Sequence, residues 1–235
     1  MSTATPRYRL KSDPYSSHSL ILSWLGEGRG RRALDVGAAD GLLSARLTAQ
    51  GWRVTGIEHD PVAAEAGARH CERMVVADLA RELPGLDGPF DVIVYGDVLE
   101  HLPEPLRVLV ELNRWLAPGG FVVISIPNIA HLAIRLLFLA GYFTYMDRGI
   151  LDRTHLRFFT ARSLRAFLVD AGLGIERFTA TPAPLYEVVP AGWQGRWLAP
   201  VQAVSAGVAR LLPRLLGYQF VVLARPKGAP AGGPP

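Results

Sequence analysis

The chain has 235 residues, of which 49% are hydrophobic and 20% are charged, and this balance excludes an intrinsically disordered protein and fits one α/β domain with a substantial core. Cys71 is the single cysteine, which excludes a disulfide framework and a cysteine zinc site and favours a reducing compartment. The formal net charge is +4, but the arginines are scattered along the chain, so nucleic-acid binding is not indicated.

The two ends of the chain differ in composition from the part between them. Residues 1–13 are polar, lack the apolar core of a secretory signal and predict a flexible lead. Residues 226–235 are rich in glycine, alanine and proline and predict a disordered tail. Residues 120–143 are largely apolar, but Arg135 and other polar residues interrupt them, so no membrane-spanning helix is expected. We therefore predict a cytoplasmic protein with one domain over residues 14–225.

The first predicted elements are a capped helix, a strand and a second helix. The first helix covers residues 13–25, begins with an Asp-Pro cap and carries Tyr15 near its start. Residues 33–36 form an apolar run typical of a buried parallel strand, and an amphipathic run over residues 42–47 predicts the second helix. Because parallel sheets bind ligands at the carboxyl ends of their strands, a binding site is expected in the turn between these two elements.

The charges around that turn restrict the kind of ligand. Asp35 lies at the end of the strand and Asp40 at the start of the helix, and two carboxylates suit a ligand with an ammonium group and no phosphate. The glycine spacing of a dinucleotide-binding turn is also absent, because after Gly37 the next glycine is Gly41. An ordinary strand-to-helix turn, with Asp40 as the helix cap, stays open as the alternative.

Three further strands repeat the pattern of an apolar run that closes with an acid. The predicted strands are residues 52–58, 74–79 and 90–97, and the predicted helices among them are residues 61–70 and 103–116. The acids are Glu58, Asp78 and Asp97. Glu58 follows Asp35 by 23 residues. An acid at this position can accept hydrogen bonds from both hydroxyls of a ribose. A solvated loop acid is the alternative.

Asp35, Gly37 and Gly41 resemble the first motif of the class I S-adenosylmethionine-dependent methyltransferases, which is an acid, a glycine, small residues and a second glycine. Ala39 stands where that motif usually has a glycine. The resemblance implies S-adenosyl-L-methionine as cofactor and an α/β fold with a seven-stranded Rossmann-like sheet, mostly parallel with an antiparallel last strand and helices on both faces. The cofactor-binding residues that it implies are Tyr15, Asp35, Gly37, Ala38, Gly41, Glu58, His59, Asp78, Leu79 and Asp97.

The resemblance implies particular roles for three of these residues. Asp78 matches the family residue that accepts the adenine amino group, with the backbone N–H of Leu79 near a ring nitrogen. A tyrosine in the position of Tyr15 often reaches over the cofactor, and a packing role is the alternative.

The segment over residues 97–102, Asp-Val-Leu-Glu-His-Leu, is characteristic of a large subset of these methyltransferases. In that family the end of this strand meets both cofactor and substrate. His101 is a candidate general base because the unperturbed pKa of histidine lies near neutrality. A backbone hydrogen bond that orients a loop is the alternative role for His101.

Residues 129–160 form an insertion that is longer than a usual connection, and such insertions often determine substrate choice. An apolar helix opens the insertion, and its second half mixes aromatic, acidic and basic side chains. That half resembles small bacterial methyltransferases of polysaccharide or natural-product pathways and the Thr-His of ubiquinone-type O-methyltransferases. By this resemblance His155 contacts an acceptor hydroxyl, and Asp152 orients His155 or bonds to the substrate. The alternative is that His155 and Arg157 only anchor the insertion, through salt bridges to its two aspartates.

The remaining elements complete the sheet and add a second insertion. They are a strand over residues 121–126, a helix over 161–172, a strand over 175–179, an insertion over 182–217 and a strand over 218–225. Tryptophans, leucines and arginines give residues 193–216 an amphipathic pattern. A lid over an apolar cavity, a contact in a homodimer and a peripheral membrane contact are three open interpretations of this pattern.

These features predict an S-adenosylmethionine-dependent methyltransferase that methylates an oxygen of a small molecule: a sugar, a glycan or a secondary metabolite. No metal site is predicted. One alternative is a non-catalytic cofactor-binding subunit, which would keep the strand-end acids but have no acceptor pocket. Another is a nucleotide-dependent sugar dehydrogenase or epimerase, which the chain fits poorly. It lacks the required glycine spacing and any Tyr-x-x-x-Lys pair, since its only lysines are Lys11 and Lys227.

Overall fold

Seven strands form one sheet in the computed structural model, which describes residues 13–228. The strands are β1 (Arg32–Val36), β2 (Arg53–Glu58), β3 (Arg73–Val76), β4 (Phe90–Gly96), β5 (Leu116–Pro127), β6 (Leu173–Thr181) and β7 (Gln219–Pro226). Their order across the sheet is β3-β2-β1-β4-β5-β7-β6. The first five strands are parallel, and β7 lies antiparallel between β5 and β6. The predicted mostly parallel sheet with an antiparallel last strand is confirmed.

One helix precedes β1, and helices lie in every connection between the strands except the one from β3 to β4. They are α1 (Ser17–Leu25), α2 (Leu42–Ala49), α3 (Pro61–Ala68), α4 (Pro105–Asn113), α5 (Leu132–Leu139), α6 (Ala161–Asp170), α7 (Leu185–Val188), α8 (Leu198–Leu211) and α9 (Pro213–Leu216). Asp60 caps α3, and Thr160 forms a capping box with Ser163 at the beginning of α6. Ser16 caps α1, so the predicted Asp-Pro cap is wrong. Among residues 13–228, no helix combines the length and the hydropathy needed to cross a bilayer.

Apolar side chains are buried on both faces of the sheet. On one face, Leu34 and Val36 of β1 share a core with Leu109 of α4 and Leu164 of α6. On the other face, Ala33 shares a core with apolar side chains of α1 and α2. Successive side chains of a strand point to opposite faces, which explains how one short strand serves both cores. The predicted helices on both faces of the sheet are confirmed.

The strand register brings several strand ends to one edge of the sheet. Val36, the last residue of β1, pairs with Ile57 of β2 and with Tyr95 of β4. Glu58 therefore ends β2 at this edge, and Asp97 lies just beyond the end of β4. This edge is where an open parallel sheet binds its ligands.

Several predicted element bounds are wrong, including the end of β3 and the beginning of β5. β3 ends at Val76 rather than at residue 79, so Asp78 lies in the loop after the strand. The Ala-Pro-Gly-Gly segment lies within β5 instead of preceding it, since Leu116 already pairs with Phe90. Gly120 permits this close pairing, because a Cβ there would lie 3.1 Å from the carbonyl oxygen of Phe90.

The predicted lead and tail lie mostly outside the described residues. Residues 1–12 and 229–235 lie outside the described residues. Asp13, the last residue of the predicted lead, is buried and accepts a hydrogen bond from Gln202 of α8. β7 continues to Pro226, which the composition had placed in the tail. The second insertion therefore packs on the beginning of the described chain.

Candidate active site

The turn between β1 and α2 contains three residues in the left-handed region. The φ angles of Gly37, Ala39 and Gly41 are 73°, 48° and 79°. The N–H groups of Gly37 and Ala38 both donate to the carbonyl oxygen of Ile57 in β2, at 2.8 and 2.9 Å. These bonds tie the turn to the neighbouring strand and hold it at the ligand-binding edge of the sheet.

Asp40 does not cap α2. Gly41 is the N-cap residue, and no side chain caps this end of the helix. The alternative in which Asp40 serves only as a helix cap is therefore wrong. Its Oδ1 is buried and has no hydrogen-bond partner among residues 13–228. A buried acceptor of this kind suits a donor on a ligand, and a carboxylate suits an ammonium group.

The Glu58 carboxylate is buried and accepts hydrogen bonds from three backbone N–H groups. Oε2 accepts from Ala39 at 2.9 Å, and Oε1 accepts from His59 at 2.8 Å and from Asp60 at 2.9 Å. Nδ1 of the exposed His59 side chain lies 2.8 Å from the same Oε1. A carboxylate oxygen can accept two hydrogen bonds, so Oε2 keeps capacity for one ligand hydroxyl.

Asp35 lies behind the turn, on the face of the sheet that α2 covers. Its Oδ2 accepts a hydrogen bond from Ser44 Oγ of α2 at 2.6 Å. Burial raises the pKa of Asp35 to about 6, although the Ser44 hydrogen bond acts in the opposite direction, and the charge of Glu58 adds to the rise. The hydrogen bond from Ser44 thus connects the Asp35 carboxyl to α2 within the fold.

Asp78 closes the turn that follows β3. Its Oδ1 accepts a hydrogen bond from the N–H of Ala80 at 3.0 Å, and its Oδ2 lies 3.2 Å from Nε of Arg81. Leu79 beside it is buried in the core. The pairing of Asp78 with an adenine amino group stays a prediction, and so does the approach of the Leu79 N–H to the ring.

Two serines that sequence reasoning missed hold Asp97 at the end of β4. Oδ1 of Asp97 accepts a hydrogen bond from Ser125 Oγ at 2.6 Å, and Oδ2 accepts one from Ser17 Oγ at 3.4 Å. Asp97 itself has a φ of 56°. Ser125 could have been found from the strand register, because it pairs with Gly96 directly before Asp97. Ser17 comes from α1, and no local sequence signal brings it there.

Tyr15 lies under the second insertion. The Arg210 guanidinium carbon of α8 is 5.8 Å from the centre of the Tyr15 ring. The structure therefore shows a packing contact for Tyr15, which is one of the two roles that the sequence left open. A contact between Tyr15 and the cofactor stays a prediction.

His101 and His155 come together beside the end of β4. Their ring centroids are 4.8 Å apart in an edge-to-face arrangement. Nδ1 of His155 lies 3.1 Å from the carbonyl oxygen of Ile150, and Nδ1 of His101 lies 3.2 Å from the carbonyl oxygen of Thr154. Since both rings are held through Nδ1, Nε2 is the nitrogen that can exchange a proton with an acceptor.

The Asp152 side chain is linked by hydrogen bonds to His101, through the hydroxyl of Thr154. Its Oδ1 accepts hydrogen bonds from the N–H and the hydroxyl of Thr154 at 2.8 and 2.7 Å, and that hydroxyl lies 3.1 Å from Nδ1 of His101. The Ile150 carbonyl, and not Asp152, orients His155. The sequence resemblance included Thr154 in its Thr-His pair but assigned it no role.

The environment of this cluster sets its protonation at neutral pH. Burial, followed by the charge of His155, lowers the pKa of His101 below its ordinary value. Burial alone would raise the pKa of Asp152, but the hydrogen bonds from Thr154 and the two histidines bring it below its ordinary value. At pH 7, therefore, His101 is uncharged and can accept a proton, while Asp152 is ionised.

Backbone contacts anchor the first insertion to the segment after β4. The carbonyl oxygen of Glu100 accepts hydrogen bonds from two successive N–H groups of the insertion, that of Arg157 at 3.0 Å. Nε of Arg157 donates to the carbonyl oxygen of Pro103 at 3.0 Å. The ion pair to Asp147 comes from Arg153, so the predicted alternative in which Arg157 makes it is wrong.

The same cluster contains a set of potential metal ligands. Glu100, His101 and His155 offer ligand atoms that all lie within 4.8 Å of one another. Two imidazoles and a carboxylate form a donor set that suits zinc or iron. Among residues 13–228 this is the one such group, and the sequence had indicated none. The absence of a functional metal stays a prediction.

The sequence profile of a methyltransferase domain matches residues 14–177. That stretch contains the turn after β1, the strand-end acids and both histidines of the cluster. The chain belongs to this methyltransferase-domain family. The predicted class I S-adenosylmethionine-dependent methyltransferase fold and its cofactor are thereby confirmed.

Several curated relatives of the chain are named as O-methyltransferases. The ubiquinone biosynthesis O-methyltransferase of Psychrobacter arcticus is 30% identical over 153 residues, which cover 61% of this chain and 59% of the relative. The enzyme of the same name from Pseudomonas paraeruginosa is 31% identical over 171 residues, which cover 67% of this chain and 72% of the relative. The chain thus spans less than two thirds of the first relative.

Solved methyltransferase structures share the fold. One is magnesium protoporphyrin IX methyltransferase from Synechocystis with bound S-adenosylhomocysteine, at a TM-score of 0.60 and 17% identity. The superposition covers 89% of this chain and 82% of the Synechocystis chain. A TehB-like methyltransferase from Corynebacterium glutamicum has a TM-score of 0.56 at 21% identity and covers 92% and 89%. At these identities the likeness shows the fold alone.

An open groove of about 720 Å³ lies between α4 and α6 of this methyltransferase. Its lining includes Arg107, Val110, Arg157 and Phe167. It includes neither of the two histidines nor any residue predicted to bind the cofactor. The groove is therefore separate from the residues predicted to contact the cofactor and the acceptor.

Proposed function

We propose that the chain transfers a methyl group from S-adenosyl-L-methionine to a hydroxyl oxygen of a small molecule, of the sugar, glycan or secondary-metabolite class. The observation that carries the proposal is the pair formed by His101 and His155, with ring centroids 4.8 Å apart at the end of β4. A hydroxyl acceptor has to lose a proton as its oxygen is methylated, and an imidazole beside it can take that proton.

The residues at the edge of the sheet fit the cofactor. Oε2 of Glu58 has capacity for a ribose hydroxyl, and Oδ1 of Asp40 is a buried acceptor that suits the ammonium group. Asp78 and Leu79 would lie against the adenine, and His59 and Tyr15 would border the nucleoside. When bound, the cofactor supplies the methyl group by in-line displacement, so the protein mainly positions the acceptor.

Within the cluster, His155 is the group that contacts the acceptor hydroxyl and takes its proton at Nε2. The Ile150 carbonyl keeps the proton of the neutral ring on Nδ1, which leaves Nε2 as the basic nitrogen. His101 lies edge to face against this ring and is itself positioned by Thr154 and, through Thr154, by Asp152. Burial, followed by the charge of the neighbouring His155, disfavours the charged form of His101, so the pKa of His101 is lowered and this ring is available as a base near neutral pH.

The relatives and the site together favour oxygen as the methylated atom. Curated relatives that cover about two thirds of this chain are named as O-methyltransferases. A non-catalytic cofactor-binding subunit is the second candidate. It is less favoured because such a subunit would need no pair of oriented histidines. Membership of the methyltransferase-domain family favours methyl transfer over the dehydrogenase or epimerase reaction.

The test is transfer of labelled methyl groups from S-adenosyl-L-methionine into an extract of the source cells, separated into lipid, aqueous small-molecule and protein fractions. We expect label in a small molecule, bound as an ether that resists mild alkali. Label in protein alone, or on nitrogen or carbon, would overturn the proposal. Absence of label from every fraction, with S-adenosylhomocysteine still bound in calorimetry, would support the binding subunit instead.

A further inference from the structure

Helix α8 presents its large apolar residues to solvent. The side chains that it buries against the domain include a glutamine and two alanines: Leu198, Gln202, Ala206 and Ala209. Its exposed side includes Val201, Val204 and Val208, and it ends in Leu211, which is 81% exposed. A surface helix normally turns its large apolar residues toward the core. The arrangement on α8 is the reverse, and no element among residues 13–228 covers the exposed valines of this helix.

A second exposed apolar segment lies in the first insertion. α5 buries only Ile134, and Leu139 at its end is 84% exposed. The chain that follows exposes aromatic residues, and Phe143 packs on Phe138 and Tyr145 with ring centroids 5.5 and 5.0 Å apart. This aromatic cluster lies at the surface instead of in a core.

The two segments adjoin each other. Nη2 of Arg135 in α5 donates to the carbonyl oxygen of Arg214 in α9 at 3.3 Å, and α9 directly follows the exposed Leu211 and Leu212. We call the exposed apolar side chains of residues 136–146 and 193–212 the apolar face. Monomeric proteins rarely expose large contiguous apolar patches, and such patches often mark a binding site.

The net charge of the chain is concentrated in the two insertions that carry the apolar face. Residues 129–160 contain four arginines and two aspartates, and residues 182–217 contain three arginines and one glutamate. Together they account for the whole formal charge of +4, and the rest of the chain is neutral. Arg135, Arg196, Arg210 and Arg214 lie in or next to the segments that form the apolar face. Arginines beside an apolar surface make it complementary to an apolar phase with an anionic surface.

We propose that the apolar face docks on the surface of a bilayer that contains anionic lipids. Leu139, Val204 and Leu211 would enter the acyl boundary, and Trp193 and Trp197 would lie at the level of the headgroups, where tryptophan is favoured. Arg196 and Arg214 would contact lipid phosphates. A second copy is a poorer occupant, because pairing two such faces would bring like charges together.

The proposal is tested by sedimentation of the full chain with vesicles. One set contains phosphatidylcholine alone, and the other contains phosphatidylcholine and phosphatidylglycerol in equal parts. We expect binding to the anionic vesicles, weakened by added salt, and about tenfold weaker binding for Val204→Glu, because an acid opposes both burial and the anionic surface. The matched control is Val62→Glu on α3, because the exposed fraction of Val62 (74%) is close to that of Val204 (67%). We expect Val62→Glu to bind the anionic vesicles as the native chain does.

Leu139→Glu provides a second variant on the other insertion and should also weaken binding about tenfold. Affinity for S-adenosylhomocysteine, measured for each variant, reports whether the domain is folded. Absence of binding to anionic vesicles by the native chain would overturn the proposal, as would binding that neither Val204→Glu nor Leu139→Glu weakens. A homodimer that Val204→Glu dissociates, without vesicle binding, would assign the face to a second copy. None of these outcomes depends on methyl transfer.

Discussion

The backbone N–H of Ala39 donates to the Glu58 carboxylate at 2.9 Å while Ala39 adopts a φ of 48°. The bond draws the turn after β1 onto the end of β2 and orients the carboxylate proposed to bind the ribose. It also holds an alanine in the left-handed region, where a Cβ crowds its own backbone. The family usually has glycine at this position, and the positive φ of Ala39 gives the physical reason for that preference.

Ala39→Gly should therefore raise the free energy of unfolding by about 1 kcal/mol, because glycine adopts a positive φ without the steric cost. Denaturant unfolding at constant pH measures the change. Ala203→Gly, at an exposed position within α8, is the matched control and should lower the free energy of unfolding by about 1 kcal/mol. Equal destabilisation by the two substitutions would contradict the argument from backbone conformation.

Glu58→Gln should weaken binding of S-adenosylhomocysteine by about tenfold to a hundredfold, because an amide NH₂ would face backbone N–H groups that now donate to a carboxylate. Titration calorimetry on the folded variant measures the affinity. Glu82→Gln, in the exposed loop after β3, should leave the affinity unchanged. If Glu58→Gln binds as tightly as the native chain, Glu58 does not belong to the cofactor site.

The sequence predicted the sheet because each parallel strand is an apolar run followed by a turn signal. The strand-end acids followed from the same pattern, since register brings successive strand ends to one edge. Contacts between distant segments were not predictable in this way. Thr154 connects Asp152 to His101 only because backbone bonds to Glu100 fold the first insertion over the end of β4. No local periodicity encodes that contact.

Stability should depend on pH through Asp35. Its pKa is raised from 3.8 to about 6 in the fold, so the folded state favours the protonated carboxyl. The protonated Asp35 carboxyl therefore contributes fully to the stability of the fold below about pH 4, and this contribution is lost as the pH rises to about 6. The resulting decrease in the free energy of unfolding is about 3 kcal/mol at most.

Asp35→Asn should remove this pH dependence and raise the free energy of unfolding at pH 7, while it weakens binding of S-adenosylhomocysteine. Thermal unfolding at pH 4 and pH 7 measures the first effect, and calorimetry measures the second. Asp170→Asn, at an exposed position in α6, is the control and should leave the pH dependence in place. If the stability of Asp35→Asn depends on pH as strongly as that of the native chain, another group causes the loss of stability with rising pH.

His155→Ala should lower kcat by about a hundredfold and leave the affinity for S-adenosylhomocysteine nearly unchanged, because the imidazole acts on the acceptor and not on the cofactor. His70→Ala, away from this cluster, is the control. Loss of both kcat and cofactor affinity in His155→Ala would indicate a structural role.

Treatment with a chelator should leave turnover unchanged, because a base at His155 needs Nε2 for the acceptor proton and a metal would occupy such a nitrogen. Turnover is measured before and after dialysis against the chelator, with elemental analysis of the same samples. Loss of turnover that zinc or another divalent cation restores would contradict this expectation. Glu100, His101 and His155 would then be the ligands, because their donor atoms lie within 4.8 Å of one another, and Glu100→Gln should lower the metal content.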